Sequence, residues 1–422
     1  REPGTHLLRF RIADPDSLPA DDVRTLAFDV RSGIPALLVN GHPDADPLKR
    51  ATEYLQEALD PGGRKDPTNP ARPKTLSVGG FADLALGDMT AVDCVFLCDV
   101  PSLSPAQVSR LEAHLKRGGG VVFGLGPNAA ANADLYNRTL YQDGNGILPA
   151  KLLGEVSTEG PDDPGFLFAT DEMAFRRPPL AAFAADNARG GLIAVPFKKY
   201  VRLAAPADGP GRRVLSFVPA GAKPEASAAK PDPALIEWTR HRGRVVVFAS
   251  TFDTRWTDWP LLPSYLPFAH ELLRFATANA DRHTARVGEV LEEFAPVTFV
   301  GTAATVTGPG GLSARVPVVV GDETGVARFA DTFLSGIYTV TLPGRAVGTF
   351  AVNVPETTTG GGSESDLRRL SPSDLGTIGP IQSVTDPGEV KVGDTGESVL
   401  VLAPRPHGPT LGRWLMAFAA AA

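Results

Sequence analysis

The chain has 422 residues, including 44 glycines and 39 prolines; 43% of its residues are hydrophobic and its net charge is −7. This length fits two or three domains, and the apolar content excludes global disorder. The acidic balance without a Lys/Arg cluster argues against a nucleic-acid partner, and 2 Cys with 7 His argue against a Cys/His zinc site or a disulfide scaffold.

The opening residues REPGTHLLRFRI lack the apolar core of a signal peptide. Leu8, Phe10 and Ile12 alternate as one face of a strand, and a second strand covers 25–30. Two strands bury too little to stand alone. Residues 1–32 therefore read as the C-terminal strands of a β-sandwich truncated at its start.

From Gly33 the pattern alternates between strand and helix. An apolar strand over 34–39 ends in Asn40-Gly41, and a helix follows Pro47. The stretch ALDPGGRKDPTNPARP reads as a loop, residues 75–78 as a short strand, and 92–100 as a buried one. Cys94 and Cys98 lie four apart on that strand, about 13 Å at the usual rise, too far for a disulfide. They read as packed, inert thiols. Ser104-Pro105 supplies a helix cap and a first-turn proline, and Gly118-Gly119-Gly120 ends the helix. VVFGLG is the next strand. Residues 150–245 read mainly as strands joined by turns, a β-rich insertion returning to the main sheet through 245–249. The helix carrying Leu266, Phe268, Ala269, Leu272, Leu273, Phe275 and Ala276 closes this domain at 283. Buried strands alternating with helices predict a parallel sheet covered on both faces.

Residues 284–355 have the strand and turn spacing of a small β-sandwich. Residues 356–409 read as a linker and weakly ordered tail, in which ESDLRRLSPSDL holds two capping-type helix starts. Residues 410–422, which end in RWLMAFAAAA, have the apolar onset of a truncated transmembrane helix; a short docked helix is the other reading.

The ordered series GTHLLRFRIADPDSLPADD, PALLVNG, LSPAQVSRLEAHLKRGGGVVF, VVVFASTFDTRWTDWPLLPSYLPFAHELLRF, SGIYTVTLPG and FAVNVPETTTGGGSESDLRRL resembles BatA-type bacterial membrane proteins. These carry an aerotolerance regulator N-terminal domain, and the likeness is to their large planctomycete-like versions. The resemblance spans nearly the whole chain. It implies an upstream membrane hairpin and a von Willebrand A-like region, with a membrane helix after Arg413. It also implies an extracytoplasmic placement of this region and association with other envelope or membrane proteins and a MoxR-type ATPase; no cofactor is expected. The middle domain resembles the class I glutamine amidotransferase fold. The fold class expected is thus α/β plus β: a flavodoxin-like parallel sheet with a β-rich insertion, flanked by a β-sandwich remnant and a small β-sandwich.

Amidotransferase chemistry needs a cysteine on a tight strand-to-helix turn, with a histidine and a glutamate nearby. Leu125 stands between Gly124 and Gly126 where that nucleophile would be, and no Gly-x-Ser-x-Gly elbow exists. STFDTRWTDW lacks the His-x-Glu pair, so no residue is assigned a catalytic role and no metal is assigned. GLGPN lacks the Lys-Ser/Thr of a phosphate-binding loop.

In open α/β sheets, ligands bind beyond the carboxyl ends of the strands. Those ends carry Asn40, His42, Asp44, Asp99, Asn128, Asp253 and Asp258. Their convergence would make a polar-ligand or divalent-metal site, and a hydrolase using His42, Asp99 and Asp253 is the alternative function. The bland reading is that they are turn and cap residues. In FDTRWTDWP, Arg255, Trp256 and Trp259 suit a protein-binding hot spot, or equally a core-anchored turn in which Arg255 pairs with Asp253 or Asp258. The function expected is non-catalytic interaction or scaffolding. A carbohydrate-binding reading has no exposed aromatic strip behind it.

Overall fold

The computed structural model describes residues 4–13, 22–30, 32–63, 68–85, 87–160, 162–169, 172–204, 211–221, 231–278, 283–321 and 324–355. The expected tail at 356–409, its capping motifs and the membrane-helix onset at 410–422 lie outside the described residues. Among the described residues no helix is long and apolar enough to cross a membrane.

The largest sheet is built from β3 (Ile34–Asn40), β4 (Ala71–Ser77), β5 (Cys94–Cys98), β6 (Gly120–Gly124), β8 (Phe166–Ala169), β10 (Arg212–Pro219), β11 (Asp232–Arg240) and β12 (Gly243–Phe248). Its order is β4-β3-β5-β6-β12-β11-β10-β8. The first five strands run parallel. The last three join by antiparallel pairing. The central strands are wholly buried because helices cover the sheet, which is why VDCVFLC and GVVFG read as continuous apolar runs. Cys94 and Cys98 are free and buried, and burial pushes both thiols up. β4 begins at Ala71, inside the expected loop. It tolerates Pro73 because it is the edge strand, bonded on one side only.

The helices are α1 (Glu53–Leu59), α2 (Val78–Ala82), α3 (Pro105–Lys116), α4 (Pro127–Ala131), α5 (Ala133–Tyr136), α6 (Asp186–Ile193) and α7 (Tyr265–Thr277). The expected cap of α3 forms. Ser104 Oγ accepts from Gln107 N–H at 3.3 Å, and Gln107 Oε1 accepts from Ser104 N–H at 2.8 Å. α7 buries Phe268, Ala269, Leu272, Leu273, Phe275 and Ala276 and leaves Leu266 exposed. A separate pair, β7 (Lys151–Ser157) and β9 (Lys199–Ala204), lies beside the sheet.

The remaining strands are β13 (Thr284–Arg286), β14 (Leu291–Ala295), β15 (Ala303–Gly308), β16 (Leu312–Val320), β17 (Gly325–Phe329), β18 (Gly336–Leu342) and β19 (Arg345–Asn353). They form one seven-stranded sheet, β13-β19-β18-β15-β16-β17-β14, curled into a nearly closed barrel. Its own core includes Val306, Val318, Phe329, Tyr338, Val340 and Phe350. At the start of the chain, β1 (Gly4–Arg11) and β2 (Val23–Val30) make an antiparallel hairpin. It is tied to the barrel by a double hydrogen bond. Thr25 N–H donates to Asn353 Oδ1 (2.8 Å), and Asn353 Nδ2 donates to Thr25 O (2.9 Å).

This architecture corrects the expected fold class in two places. The main sheet is not a flavodoxin-like parallel sheet with a separate β-rich insertion, because β8, β10 and β11 belong to the sheet and make it mixed. The C-terminal β domain is not a two-sheet sandwich. β16 pairs with β15 through Pro317 and with β17 from Val318 onward, so one strand carries the sheet around the bend. Strand periodicity identifies strands but not their neighbours, so sandwich and barrel look alike in sequence.

Candidate functional site

The carboxyl ends of β3, β5, β6 and β12 are where a ligand would be sought. The chain turns sharply there. Asp99, directly after β5, adopts φ +51°, a left-handed conformation that asparagine and aspartate tolerate better than most residues. Gly41, directly after β3, packs so tightly that a Cβ would lie 2.0 Å from Asp99 O. A Cβ on Gly126 would lie 2.6 Å from Asp99 Cγ. The strand ends are thus closed by backbone as well as by side chains.

The Asp99 carboxylate fills this space. Its Oδ1 accepts from the N–H groups of Asn128 (2.8 Å) and Ala129 (3.1 Å) at the start of α4. Its Oδ2 accepts from Arg255 Nη1 at 2.7 Å. Arg255 grips Asp253 with the rest of its fork: Nη2 to Oδ2 at 2.6 Å, and Nε to Oδ1 and Oδ2 at 3.0 and 3.1 Å. The Asp99 and Asp253 side chains are 2% and 1% exposed and that of Arg255 is 19% exposed, so the three charges form a nearly dry cluster. Asn128 Nδ2 ties it to the first strand end, donating to Gly41 O (3.0 Å) and Asp99 O (3.3 Å).

Burial pushes the Asp99 carboxyl above its ordinary range, and Arg255 with the two backbone N–H groups pulls it only part of the way back. Burial works against the Arg255 charge too, but Asp253 and Asp99 outweigh it and hold the guanidinium above its usual value.

Of the residues singled out in sequence, Asp99, Asn128 and Asp253 come together, and Arg255 is what joins them. His42 and Asp44 remain in their own loop. Asn40 Oδ1 accepts from His42 N–H, Asp44 Oδ1 accepts from Asp46 N–H, and Arg50 Nε donates to Asp44 O. Asp258 is exposed, 3.9 Å from Lys198 Nζ. Among the described residues no three His, Cys, Asp or Glu side chains could hold a metal ion. Leu125, where an elbow nucleophile would stand, is buried in the core.

Trp256 and Trp259 are corrected as surface candidates, because both are buried. Trp259 packs against Phe168, Phe248 and Phe268 with ring centroids 5.3, 5.7 and 4.6 Å away, and its Nε1 donates to Ser264 Oγ (3.1 Å). The turn 253–259 is core-anchored, and Arg255 pairs with Asp253 rather than Asp258. The Asp99 partner went unread because it lies 156 residues from Arg255. The available signal was chemical: an aspartate ending a fully buried strand needs a cation.

No family model matches the chain, and no curated protein matches it. Among solved structures, a cytoplasmic protein from Salmonella typhimurium is similar at 17% identity and TM-score 0.41, over 58% of this chain and 99% of its own. A putative ThuA-like protein from Bacteroides uniformis is similar at 11% identity and TM-score 0.37, over 58% of this chain and 91% of its own. A beta-galactosidase from Bacillus circulans sp. alkalophilus is similar at 12% identity and TM-score 0.33, over 71% of this chain and 42% of its own. At these scores the likenesses carry no argument about chemistry.

Proposed function

We propose that this chain is a non-catalytic interaction region of a BatA-type, membrane-anchored envelope protein. What supports the non-catalytic part is the state of the strand-end crevice. Asp99 and Asp253 are both engaged by Arg255, the nearest turn carries buried Leu125, and backbone fills the gap at Gly41. A nucleophile needs an adjacent base and room for a substrate; a metal needs carboxylates with free lone pairs at about 2.0–2.6 Å. The hydrolase or metal reading has no such support. The partners proposed are other envelope or membrane proteins, including von Willebrand A-type proteins and a MoxR-type ATPase, met on the extracytoplasmic side; these rest on the family resemblance in the sequence.

Two measurements test this. Purified protein is assayed against amide, ester and glycoside substrates with and without divalent cations, and no turnover is expected. Turnover abolished by Asp253→Asn would overturn the non-catalytic assignment. Crosslinking of the full-length protein in its native membrane, read by mass spectrometry, should return a reproducible partner set; none across several growth conditions would overturn the interaction role.

A further inference from the structure

Where the barrel meets the α/β domain, β14 and the residues after β16 face the end of α3 and the β11–β12 turn across a cleft. Two adjoining cavities occupy it, of about 320 and 510 Å³, and both are lined by Arg117, Arg242, Glu292, Phe294 and Thr324. Spaces of this size at a domain junction suit a small ligand. Four permanent cations, Lys116, Arg117, Arg242 and Arg328, line the cleft with two acids, Glu292 and Glu293, in a chain of net charge −7. Asp322 and Glu323, which precede Thr324, lie outside the described residues and outside this count.

The individual contacts are uneven too. Glu292 Oε1 accepts from Arg328 Nε at 2.8 Å, and Arg242 Nη1 stands 3.6 Å from the same carboxylate, beyond hydrogen-bond range. One acid thus serves two guanidinium groups. The neighbours of Arg242 are engaged within the α/β domain. Arg240 stacks on Trp238 and donates to Asn145 O at 2.7 Å, and His241, at φ +55°, places its ring 3.5 Å from Glu112 on α3. Arg242 reaches across to the barrel instead, and its guanidinium makes no hydrogen bond among the described residues. From the barrel side comes Thr324, only 4% exposed. It lines both cavities, and its hydroxyl makes no hydrogen bond among the described residues. A group entering the cleft would satisfy it. The dipole of a helix favours cations at its C-terminus, which accounts for Lys116 and Arg117 at the end of α3. It does not account for Arg242 or Thr324, which lie on no helix.

We infer that this cleft binds a small ligand bearing a phosphate group. Arg242 forks onto the phosphate oxygens, Arg117 adds charge, and the Thr324 hydroxyl donates from the barrel. A phosphate dianion matches two guanidinium groups, where a single carboxylate leaves one charge over. Because the donors come from both domains, the ligand holds the barrel against the α/β domain. The site is separate from the filled strand ends and does not depend on the interaction role.

Isothermal titration calorimetry of the whole chain at fixed ionic strength tests this with inorganic phosphate, glycerol phosphate and acetate. Both phosphates should bind at one site, and acetate should not. Tighter binding of the ester assigns the site to an organic phosphate, and tighter binding of the free ion assigns it to inorganic phosphate. Arg242→Gln and Thr324→Val should weaken binding by roughly tenfold and threefold, with melting unchanged. Arg176→Gln, at an exposed arginine that lines neither cavity, should leave it as it was. Bound phosphate should slow amide exchange both at 240–243 and at 291–295, the two sides of the cleft. No binding at about 10 mM of either phosphate, or equal affinity in wild type and Arg242→Gln, overturns the inference. So does binding that appears only after Asp322→Asn with Glu323→Gln, which gives the cations to the chain's own acids. Slowed exchange on one side alone overturns the bridging of the two domains.

Discussion

Replacing Arg255 by methionine keeps most of the side-chain volume and removes the cation that joins two buried carboxylates. Asp99 and Asp253 are 2% and 1% exposed and would face each other's charge without compensation. Breaking a buried ion pair from one side costs about 3–5 kcal/mol, and here one removal orphans two partners, so about 4 kcal/mol is a lower expectation at pH 7. The pH dependence has a definite sign. Burial already raises the Asp99 carboxyl, and the pull from Arg255 opposes it. Without that pull the folded-state value rises further above the unfolded one. The folded variant then binds protons more readily than its unfolded chain, so its stability falls as pH rises through the raised value and recovers as pH falls. Each unit of raised pKa corresponds to about 1.4 kcal/mol at neutral pH. Urea unfolding of wild type and Arg255→Met at pH 7 and pH 4.5, followed by tryptophan fluorescence, measures both effects. The deficit of the variant should be largest at pH 7 and shrink at pH 4.5. A deficit under about 1 kcal/mol at pH 7, or one equal at both pH values, would refute the claim that Arg255 holds two dry carboxylates.

Four further outcomes are expected. Gly41→Ala should destabilise the α/β domain by about 2 kcal/mol or more in urea unfolding, since its Cβ would meet Asp99 O at 2.0 Å. Gly190→Ala, inside α6 with nothing within 4 Å of its Cβ, should stabilise by about 0.4–1 kcal/mol; the reverse ranking would show that the strand ends are looser than described. Trp259→Ala should cost about 3–5 kcal/mol by emptying the aromatic cluster, and any loss of partners should follow the loss of folded protein. Partner loss in a variant with unchanged melting would return Trp259 to the surface. Asn353→Ala should speed amide exchange in β1–β2 by severalfold and leave the barrel unaffected; unchanged exchange would mean the double bond to Thr25 does not hold the hairpin.

The parts of the fold legible in sequence were those set by local chemistry. β3, β5, β6 and β12 are apolar runs long enough to be buried strands, Ser104-Pro105 caps α3, and α7 shows an apolar stripe. α6 was missed: Gly190-Gly191 weakens its helical signal, and its neighbours read as strands. The mixed character of the main sheet and the closure of the barrel depend on which strands pair, and periodicity holds no such information. At the strand ends, the general rule for α/β sheets pointed to Asp99, Asn128 and Asp253, which lie beside one another around Arg255. It also gathered His42, Asp44 and Asp258, because residues near a turn look the same whether they cap it or face the crevice. The role of Arg255 was half visible: its bond to Asp253 spans two residues, and its bond to Asp99 crosses 156.

The bond between Thr25 and Asn353 spans 328 positions of the chain. During synthesis at about 5–20 residues per second, β2 would leave the ribosome roughly 16–66 s before the residue that secures it. Throughout that interval the hairpin lacks its two bonds to Asn353, while its outer surface carries Leu8 and Phe10. The nascent hairpin thus waits for these bonds far longer than a hairpin takes to form, about 1–10 μs. A holdase that recognises exposed β structure has its longest opportunity here.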